Sequence, residues 1–351
     1  MCPNACIDRE YCMNSFLIYR TIVDKNKCFT DKYPLFYIDP PANRTPICNG
    51  DELINFLKEE CNSIVNNNKA ALALSGGMDS SILAALLPEG SMTYTFRCNI
   101  GNDSYYADEV ERASAYATRF GHENKIITIT WDDMEKYSPI LMKHKGAPIH
   151  SIEIQIYKAA LQAKADGYDS LIFGEAADSL YGGLDRLLSR DWDIGDFIDF
   201  YAFIRPYKVL RHSKMILEPI IDCSQQGRVD AHKFVSTYLF RESINSYINA
   251  CSTAGIKCIL PYANSYFALP IDYQRIRSGE TKYVVRKAFQ NLYGGMRAPD
   301  KIPMPRPMNV WLADWKGPAR KEFWANCSDA LTGDQKWMLW SLERFLNICD
   351  E

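Results

Sequence analysis

Long apolar runs are missing from this chain of 351 residues. No stretch approaches the ~18 consecutive apolar residues that a membrane-spanning helix needs. The first nine residues lack the apolar stretch of a secretory signal. We therefore expect a cytoplasmic protein that has no membrane partner. An excess of basic charge is missing too, because the net charge is −3 and the sequence pI is about 6.0. This charge argues against nucleic acid as the main partner.

Closely paired cysteines are also missing. The chain has 12 cysteines, but no CxxC pair occurs, and zinc sites usually show such spacing. We interpret most of these residues as small core side chains or exposed thiols in a reducing compartment. The sequence lacks repeats, low-complexity tracts and flexible linkers, and it is 47% hydrophobic and 24% charged. This composition is typical of a globular protein with a substantial core.

Apolar strand-like runs alternate with amphipathic helical runs between residues 70 and 183. The pattern predicts strands over 70–74, 92–98, 125–130 and 170–173, and helices over 80–87, 107–120, 132–143 and 151–165. Such alternation is typical of an α/β fold with a doubly wound, mostly parallel sheet. Ligands of these sheets bind beyond the carboxyl ends of the strands. Aromatic-rich helical segments after residue 185 predict a helical C-terminal elaboration.

The chain before residue 67 has a different character. Residues 15–38 read as short β-rich segments around a polar turn, and Pro40-Pro41 ends them. A helix is predicted from about residue 50 to 65, with apolar side chains on one face. We therefore divide the chain into a β-rich lead segment with a helix, residues 1–66, and a main domain, residues 67–351.

The most informative segment is the run Ser75-Gly76-Gly77-Met78-Asp79-Ser80-Ser81, which joins the first predicted strand to a helix. Its glycines permit close backbone approach, and the first N–H groups of the helix are unpaired donors, so the turn favours an anion. Asp79 fits beside a phosphate when a divalent metal bridges the two groups. No lysine follows the glycines, which excludes the phosphate loop of kinases and GTPases. The alternative is an ordinary turn.

A second loop, residues 174–183, follows the predicted strand 170–173. It carries Glu175 and Asp178, and it ends in the pair Gly182-Gly183. Taken alone, Asp178 is equally explained as a helix cap and the glycines as a turn. Together with the first loop, the two carboxylates favour a functional site at neighbouring strand ends.

These loops carry a resemblance to known enzymes. The first resembles the SGGxDS signature of the PP-loop ATP pyrophosphatases, which cut ATP between the α- and β-phosphates. Both loops together resemble the SGGxDSS and GEGxDExxGG segments of the asparagine synthetase family, although Ala176 replaces a glycine and Ser179 an acid. Residues 282–289, KYVVRKAF, resemble the family's KYILRKAF. The resemblance spans residues from about 15 to 325.

The resemblance implies an ATP- and Mg²⁺-dependent ligase that adenylates a small-molecule carboxylate, releases AMP and pyrophosphate, and forms an amide. By position, Asp79 and Asp178 match the metal ligands and Glu175 the active-site acid. Lys301 matches the catalytic lysine, because its distance from Trp311 is similar to that in the family's RPKxGFxxPxxxW. The positions matched to ATP binding are Leu74, Ser75, Gly76, Gly77, Asp79, Ser80, Ser81, Cys98, Phe173 and Gly174.

The segment before Ser75 is too short for the glutaminase domain that usual members of the family carry. The resemblance therefore implies ammonia, an amine or a separate glutaminase subunit as the nitrogen source. Because Ser179 replaces the second acid of the family's loop, we expect a substrate other than aspartate and a role in specialised biosynthesis. One alternative is a PP-loop thiolation or tRNA-modifying enzyme, but neither a CxxC pair nor a basic face is visible. Another is a non-catalytic nucleotide-binding subunit of a glutaminase. The joint presence of Asp79, Glu175, Asp178 and Lys301 favours catalysis.

Overall fold

The computed structural model describes residues 5–100, 103–105, 107–300 and 304–351, and for residues 103–105 and 107 it describes the backbone alone. The strands are β1 (Cys6–Ile7), β2 (Lys27–Cys28), β3 (Thr45–Ile47), β4 (Ala70–Ala73), β5 (Met92–Ile100), β6 (Asp103–Tyr105), β7 (Glu123–Ile129), β8 (Ser170–Ile172), β9 (Trp192–Asp193), β10 (Ser224–Gln225), β11 (Arg228–Val229), β12 (Lys257–Ile259) and β13 (Ser265–Phe267).

The α-helices are α1 (Arg9–Tyr19), α2 (Gly50–Asn67), α3 (Met78–Leu86), α4 (Ala107–Arg119), α5 (Trp131–Lys145), α6 (Ile152–Ala165), α7 (Ala177–Leu180), α8 (Asp185–Leu188), α9 (Ile194–Tyr201), α10 (Glu218–Ile221), α11 (Ala231–Phe234), α12 (Phe240–Ala254), α13 (Tyr273–Arg277), α14 (Tyr283–Leu292), α15 (Met308–Trp311) and α16 (Gly333–Asp350). Short 3₁₀ turns cover Pro206–Lys208 and Pro261–Asn264, and a π-helical turn, Val235–Leu239, connects α11 to α12.

The central sheet runs in the order β12-β8-β4-β5-β7, and all of these strands are parallel. Strand β6 pairs in the antiparallel sense with the end of β5. In the middle, Leu72 pairs with Ile172 on one side and with Thr93 on the other. Helices pack against this sheet, which is why β4 and β8 are mainly apolar along their length rather than alternating. The predicted α/β fold with a mostly parallel sheet is confirmed.

The order of the strands reverses between β4 and β8. From β4 the chain adds β5 and β7 on one side, and later adds β8 and β12 on the other. In open α/β sheets, ligands bind in the crevice at the carboxyl ends of the strands where the order reverses. The two loops singled out in the sequence follow β4 and β8. The topology therefore places both loops at this crevice.

Local sequence explains where α2 begins. In α2, the Asn49 side chain caps the helix by accepting from the N–H groups of Asp51 and Glu52. Its buried side chains Leu53, Leu57, Cys61 and Ile64 recur every three or four residues, so they form one stripe against the core. The strands and helices predicted between residues 50 and 173 agree with the structure to within a few residues.

The β-rich prediction for residues 15–38 is wrong. Residues Arg9–Tyr19 form α1, which Asp8 caps and which ends at Arg20 with a φ of 62°. Every residue of this helix from Cys12 to Tyr19 is buried. A segment buried on all sides shows no period that separates helix from strand, and its aromatic and β-branched residues favour a strand by propensity alone. The division at residue 66 is not affected and stays a prediction.

The predicted helical elaboration after residue 185 is present, but it is not purely helical. It contributes β12, an edge strand of the central sheet, and the small antiparallel sheet β10-β11-β9. These strands are two or three residues long, too short to show a period in the sequence. Within the residues described, no helix is long and apolar enough to cross a membrane.

Candidate functional site

The two loops touch each other through their backbones. A Cβ added to Gly174 would lie 2.7 Å from the backbone nitrogen of Ser80 and 2.9 Å from the carbonyl carbon of Asp79. At Gly183, a Cβ would overlap the Asp178 carboxylate and lie 2.8 Å from Cδ of Lys282. Only glycine permits such approach. Gly174 is therefore explained by the contact between the two loops, and Gly183 by its close packing on Asp178 and Lys282.

A cleft of about 290 Å³ opens where the loops meet, near the lower end of the ~300–1,000 Å³ usual for small-molecule sites. Eight of the residues predicted from the sequence line it, namely Leu74, Ser75, Asp79, Ser80, Phe173, Gly174, Glu175 and Asp178. The cleft is also lined by side chains that the sequence did not single out for a role, among them Glu109, Tyr247, Met304 and Arg306. His150 lines the cleft as well.

The first loop is held by its own hydroxyls. The Ser75 N–H donates to Ser80 Oγ at 3.0 Å, and the Gly77 N–H donates to Ser75 Oγ at 3.1 Å. Two predicted ATP-binding residues have side chains engaged elsewhere. The buried Ser81 hydroxyl donates to the carbonyl of Met78, and the buried Cys98 thiol donates to the carbonyl of Pro305. Their roles, like those of Gly76 and Gly77, stay predictions.

A buried lysine joins the two predicted metal ligands. Lys282 Nζ lies 2.8 and 2.6 Å from the carboxylate oxygens of Asp79 and 2.9 Å from Asp178 Oδ1. The Lys282 side chain is only 7% exposed. Burial by itself would lower the pKa of this ammonium, but the carboxylates of Asp178 and Asp79 outweigh burial and raise the pKa above its ordinary value. Lys282 therefore stays protonated at neutral pH.

Sequence reasoning missed this role of Lys282. The sequence identified Lys282 only as the first residue of the segment KYVVRKAF. The similarity of this segment to the family's KYILRKAF was the one signal that could have indicated a role for Lys282. Its backbone is in the left-handed region, with a φ of 49°, which is rare for a side chain of this size. Such a conformation persists only where the surroundings hold it, and it is common at functional sites.

The residues present fit a magnesium ion that arrives with a nucleotide. The side chains of Asp79 and Asp178 remain 21% and 28% exposed, and both line the cleft. Mg²⁺ is usually held by one or two carboxylates together with substrate phosphates. Across the described ranges, no cluster of three or more His, Cys, Asp or Glu side chains is arranged to hold a metal by itself. The pair therefore suits a shared metal better than a resident one.

Glu175 is held by two hydroxyl groups from α12. Its Oε1 accepts from Ser243 Oγ at 2.7 Å, and the Tyr247 hydroxyl donates to the same carboxylate. Burial and the nearby Glu175 charge raise the pKa of Tyr247 well above its ordinary value, so this hydroxyl keeps its proton. The Tyr247 ring packs edge-on against Phe173, with centroids 5.0 Å apart. These contacts fix a proton acceptor inside the cleft.

A buried ion pair supports the wall that carries His150. Lys145 Nζ lies 2.5 Å from Glu153 Oε1, and the same oxygen accepts from the His150 N–H at 2.9 Å. Asn249 donates to the other Glu153 oxygen at 2.7 Å. Burial, and next the charge of Arg306, lower the pKa of His150 well below its ordinary range. His150 therefore lies in the cleft as a neutral imidazole.

The segment after residue 303 closes one side of the cleft. The Pro305 carbonyl accepts from Gln155 Nε2 at 2.7 Å and from the Cys98 thiol at 3.1 Å. Arg306 Nε donates to Asp334 Oδ1 at 2.8 Å. The predicted catalytic residue Lys301 lies just before this segment and outside the described residues. Its role stays a prediction.

A sequence profile of the asparagine synthase family matches residues 62–254, which is more than half of the 351 residues. The chain belongs to the asparagine synthase family. The match contains both loops and α12, so it covers every described side chain that holds Glu175. It identifies the chain as an ATP-dependent PP-loop enzyme of this family and confirms the predicted recognition. Comparison with curated protein sequences gave no match.

The chain is weakly similar to two solved structures. The U34-tRNA thiolase NcsA from Methanococcus maripaludis is 14% identical with a TM-score of 0.33, over 85% of this chain and 79% of that one. A predicted subunit of tRNA methyltransferase from Methanocaldococcus jannaschii is 14% identical with a TM-score of 0.23, over 68% of this chain and 97% of that one. Similarity at this level carries no argument about function.

Proposed function

We propose that this member of the asparagine synthase family adenylates a small-molecule carboxylate with ATP and Mg²⁺ and transfers the acyl group to ammonia or an amine. One observation carries the proposal. Asp79 from the first loop and Asp178 from the second meet on Lys282 at the end of one cleft, and Glu175, three residues before Asp178, lines the same cleft. The cleft thus combines a place for phosphates with a proton acceptor.

In the first step, a carboxylate oxygen of the substrate attacks the α-phosphorus, and the bond from this phosphorus to pyrophosphate breaks. Asp79 and Asp178 would hold a magnesium ion, which would supply charge neutralisation for the departing pyrophosphate. The Lys282 ammonium adds a fixed positive charge beside these carboxylates. Preorganised charges of this kind stabilise a transition state because they need no reorganisation during the reaction. We assign to Lys301 the stabilisation of the negative charge that develops at the α-phosphoryl group.

In the second step, the nitrogen of ammonia or an amine attacks the acyl carbon, loses a proton, and AMP departs. Glu175 takes that proton, since Ser243 and Tyr247 hold its carboxylate within the cleft. The nitrogen source is free ammonia, an amine substrate, or ammonia made by a separate glutaminase subunit. We place the reaction in specialised biosynthesis, because Ala176 and Ser179 depart from the family's loop.

The test is ATP–pyrophosphate exchange across a panel of carboxylic acids, with product analysis. We expect exchange with one class of acid and AMP plus pyrophosphate as products. Asp79→Asn and Lys301→Ala should each lower exchange by about 10²-fold or more, as removal of a group that stabilises transition-state charge does. Asp329→Asn, at an exposed carboxylate remote in sequence from both loops, is the matched control. Formation of ADP and phosphate would contradict the proposal.

A further inference from the structure

Glu109 is a carboxyl group in the cleft for which the proposed mechanism has no use. It lies in the first turn of α4, is 6% exposed, and lines the cleft together with Asp79 and Ser80. Its carboxylate accepts a hydrogen bond from the N–H of Gly76, the first glycine of the first loop. In the part of the chain that the structure describes, Glu109 Oε2 is buried and has no hydrogen-bond partner.

The position of this carboxyl is fixed by close packing. A Cβ added to Gly76 would lie 2.7 Å from the Glu109 carbonyl oxygen, 2.9 Å from Glu109 Cγ and 3.0 Å from Arg112 Nε. Helix α4 therefore packs directly on the first loop. A buried polar atom without a partner is costly, and a native structure that keeps one usually does so for a ligand, an ion or a water molecule.

We propose that Glu109 binds the phosphate chain of ATP as a neutral carboxylic acid. One oxygen accepts the hydrogen bond from the Gly76 N–H, and the protonated Oε2 donates its O–H to a phosphate oxygen. The inference rests on the proposed function in one respect, namely that the ligand of the loop is ATP. An ionised Glu109 would instead place a negative charge against the phosphates. A metal-ligand role is disfavoured, because no third acidic side chain joins Asp79 and Asp178 in a metal-binding group within the described ranges.

The surroundings of Glu109 favour the neutral form. Burial raises its pKa to about 7, which outweighs the opposing effects of the Arg112 guanidinium and the Gly76 N–H. Cys98 on β5 also faces it, and its own pKa is raised to about 12. The other charged or titratable described side chains that line the same cleft are Asp79, His150, Glu175, Asp178 and Arg306. A bound phosphate adds negative charge and favours the proton on Glu109 further.

The experiment is calorimetric titration of the whole chain with Mg–ATP between pH 6 and 8.5, with adenosine as the phosphate-free probe. Glu109→Gln keeps a carbonyl for Gly76 and supplies N–H donors for the phosphate. Glu111→Gln, at an exposed position of the same helix, is the matched control. We expect the wild type and Glu111→Gln to bind Mg–ATP about 30-fold more weakly at pH 8.5 than at pH 6, as one required proton predicts. Glu109→Gln should lack this dependence.

Buffers of different ionisation enthalpy provide an independent measurement. At pH 8 the wild type should take up close to one proton per ATP, whereas Glu109→Gln should take up none. Equal pH dependence in both chains, or loss of Mg–ATP binding by Glu109→Gln at every pH, would overturn the inference but leave the proposed function standing. Failure of all three chains to bind Mg–ATP would overturn both. The same pH dependence with adenosine would assign the proton to a site away from the phosphates and also overturn the inference.

Discussion

Replacing Lys282 by methionine tests the central contact of the site. The substitution keeps the length of the side chain but leaves Asp79 and Asp178 facing each other without the ammonium that lies 2.6 and 2.9 Å from them. Removing one partner of a buried ion pair costs about 3–5 kcal/mol. Because the two carboxylates are 21% and 28% exposed, water offsets part of this cost. We expect a loss of about 3 kcal/mol in the free energy of unfolding.

Urea unfolding at pH 7.5 measures this loss. The pKa of Lys282 is raised in the folded chain, so its stabilising contribution is complete below about pH 10.5, the ordinary value for lysine. The difference between wild type and Lys282→Met should therefore be constant from pH 7 to pH 10 and shrink above that range. Lys287→Met, at an exposed position of the same helix, should change stability by less than about 0.5 kcal/mol. An equally small effect of Lys282→Met would refute the reasoning.

Two further predictions concern the loop contact and the buried acid of α12. Gly174→Ala should abolish ATP–pyrophosphate exchange, because its Cβ would lie 2.7 Å from the Ser80 nitrogen. Gly195→Ala, whose Cβ would meet no atom of the described residues within 4 Å, should retain it. Equal activity of the two variants would contradict the loop geometry. Burial raises the pKa of Glu242 to about 7, so between pH 4.5 and 7 the unfolded chain releases this proton before the folded chain does. As pH rises from 4.5 to 7, the free energy of unfolding of the wild type should thus fall by up to about 3 kcal/mol relative to that of Glu242→Gln, measured by urea unfolding. Parallel stability curves for the two chains would contradict the prediction.

Strand, glycine-bearing turn and helix are consecutive in the sequence, so their chemistry was predictable from the sequence. The loop from Ser75 to Ser81 requires only local hydrogen bonds, such as that from the Ser75 N–H to Ser80 Oγ. The alternation of apolar strands and amphipathic helices was sufficient to predict the parallel sheet. Because loops at the carboxyl ends of parallel strands share one edge, it also predicted that Asp79 and Asp178 are neighbours.

The sequence did not predict contacts that depend on distant burial. Helix α1 was mistaken for strands because it is buried on all sides from Cys12 to Tyr19. Tyr247 was seen only as part of a helix, since nothing local indicates that its hydroxyl donates to Glu175. Glu109 Oε2, which has no hydrogen-bond partner among the described residues, was equally hidden, because a missing partner is a property of packing.

By itself, the sequence determined the two loops, the family they belong to and the sheet edge they share, because these follow from residues that are close along the chain. Only the tertiary structure decided which cation lies between the two aspartates. Lys282 is 203 residues from Asp79, and local pattern carries no information about an ammonium at that distance. Its place is fixed by burial among two carboxylates, where an unpaired charge of either sign is costly.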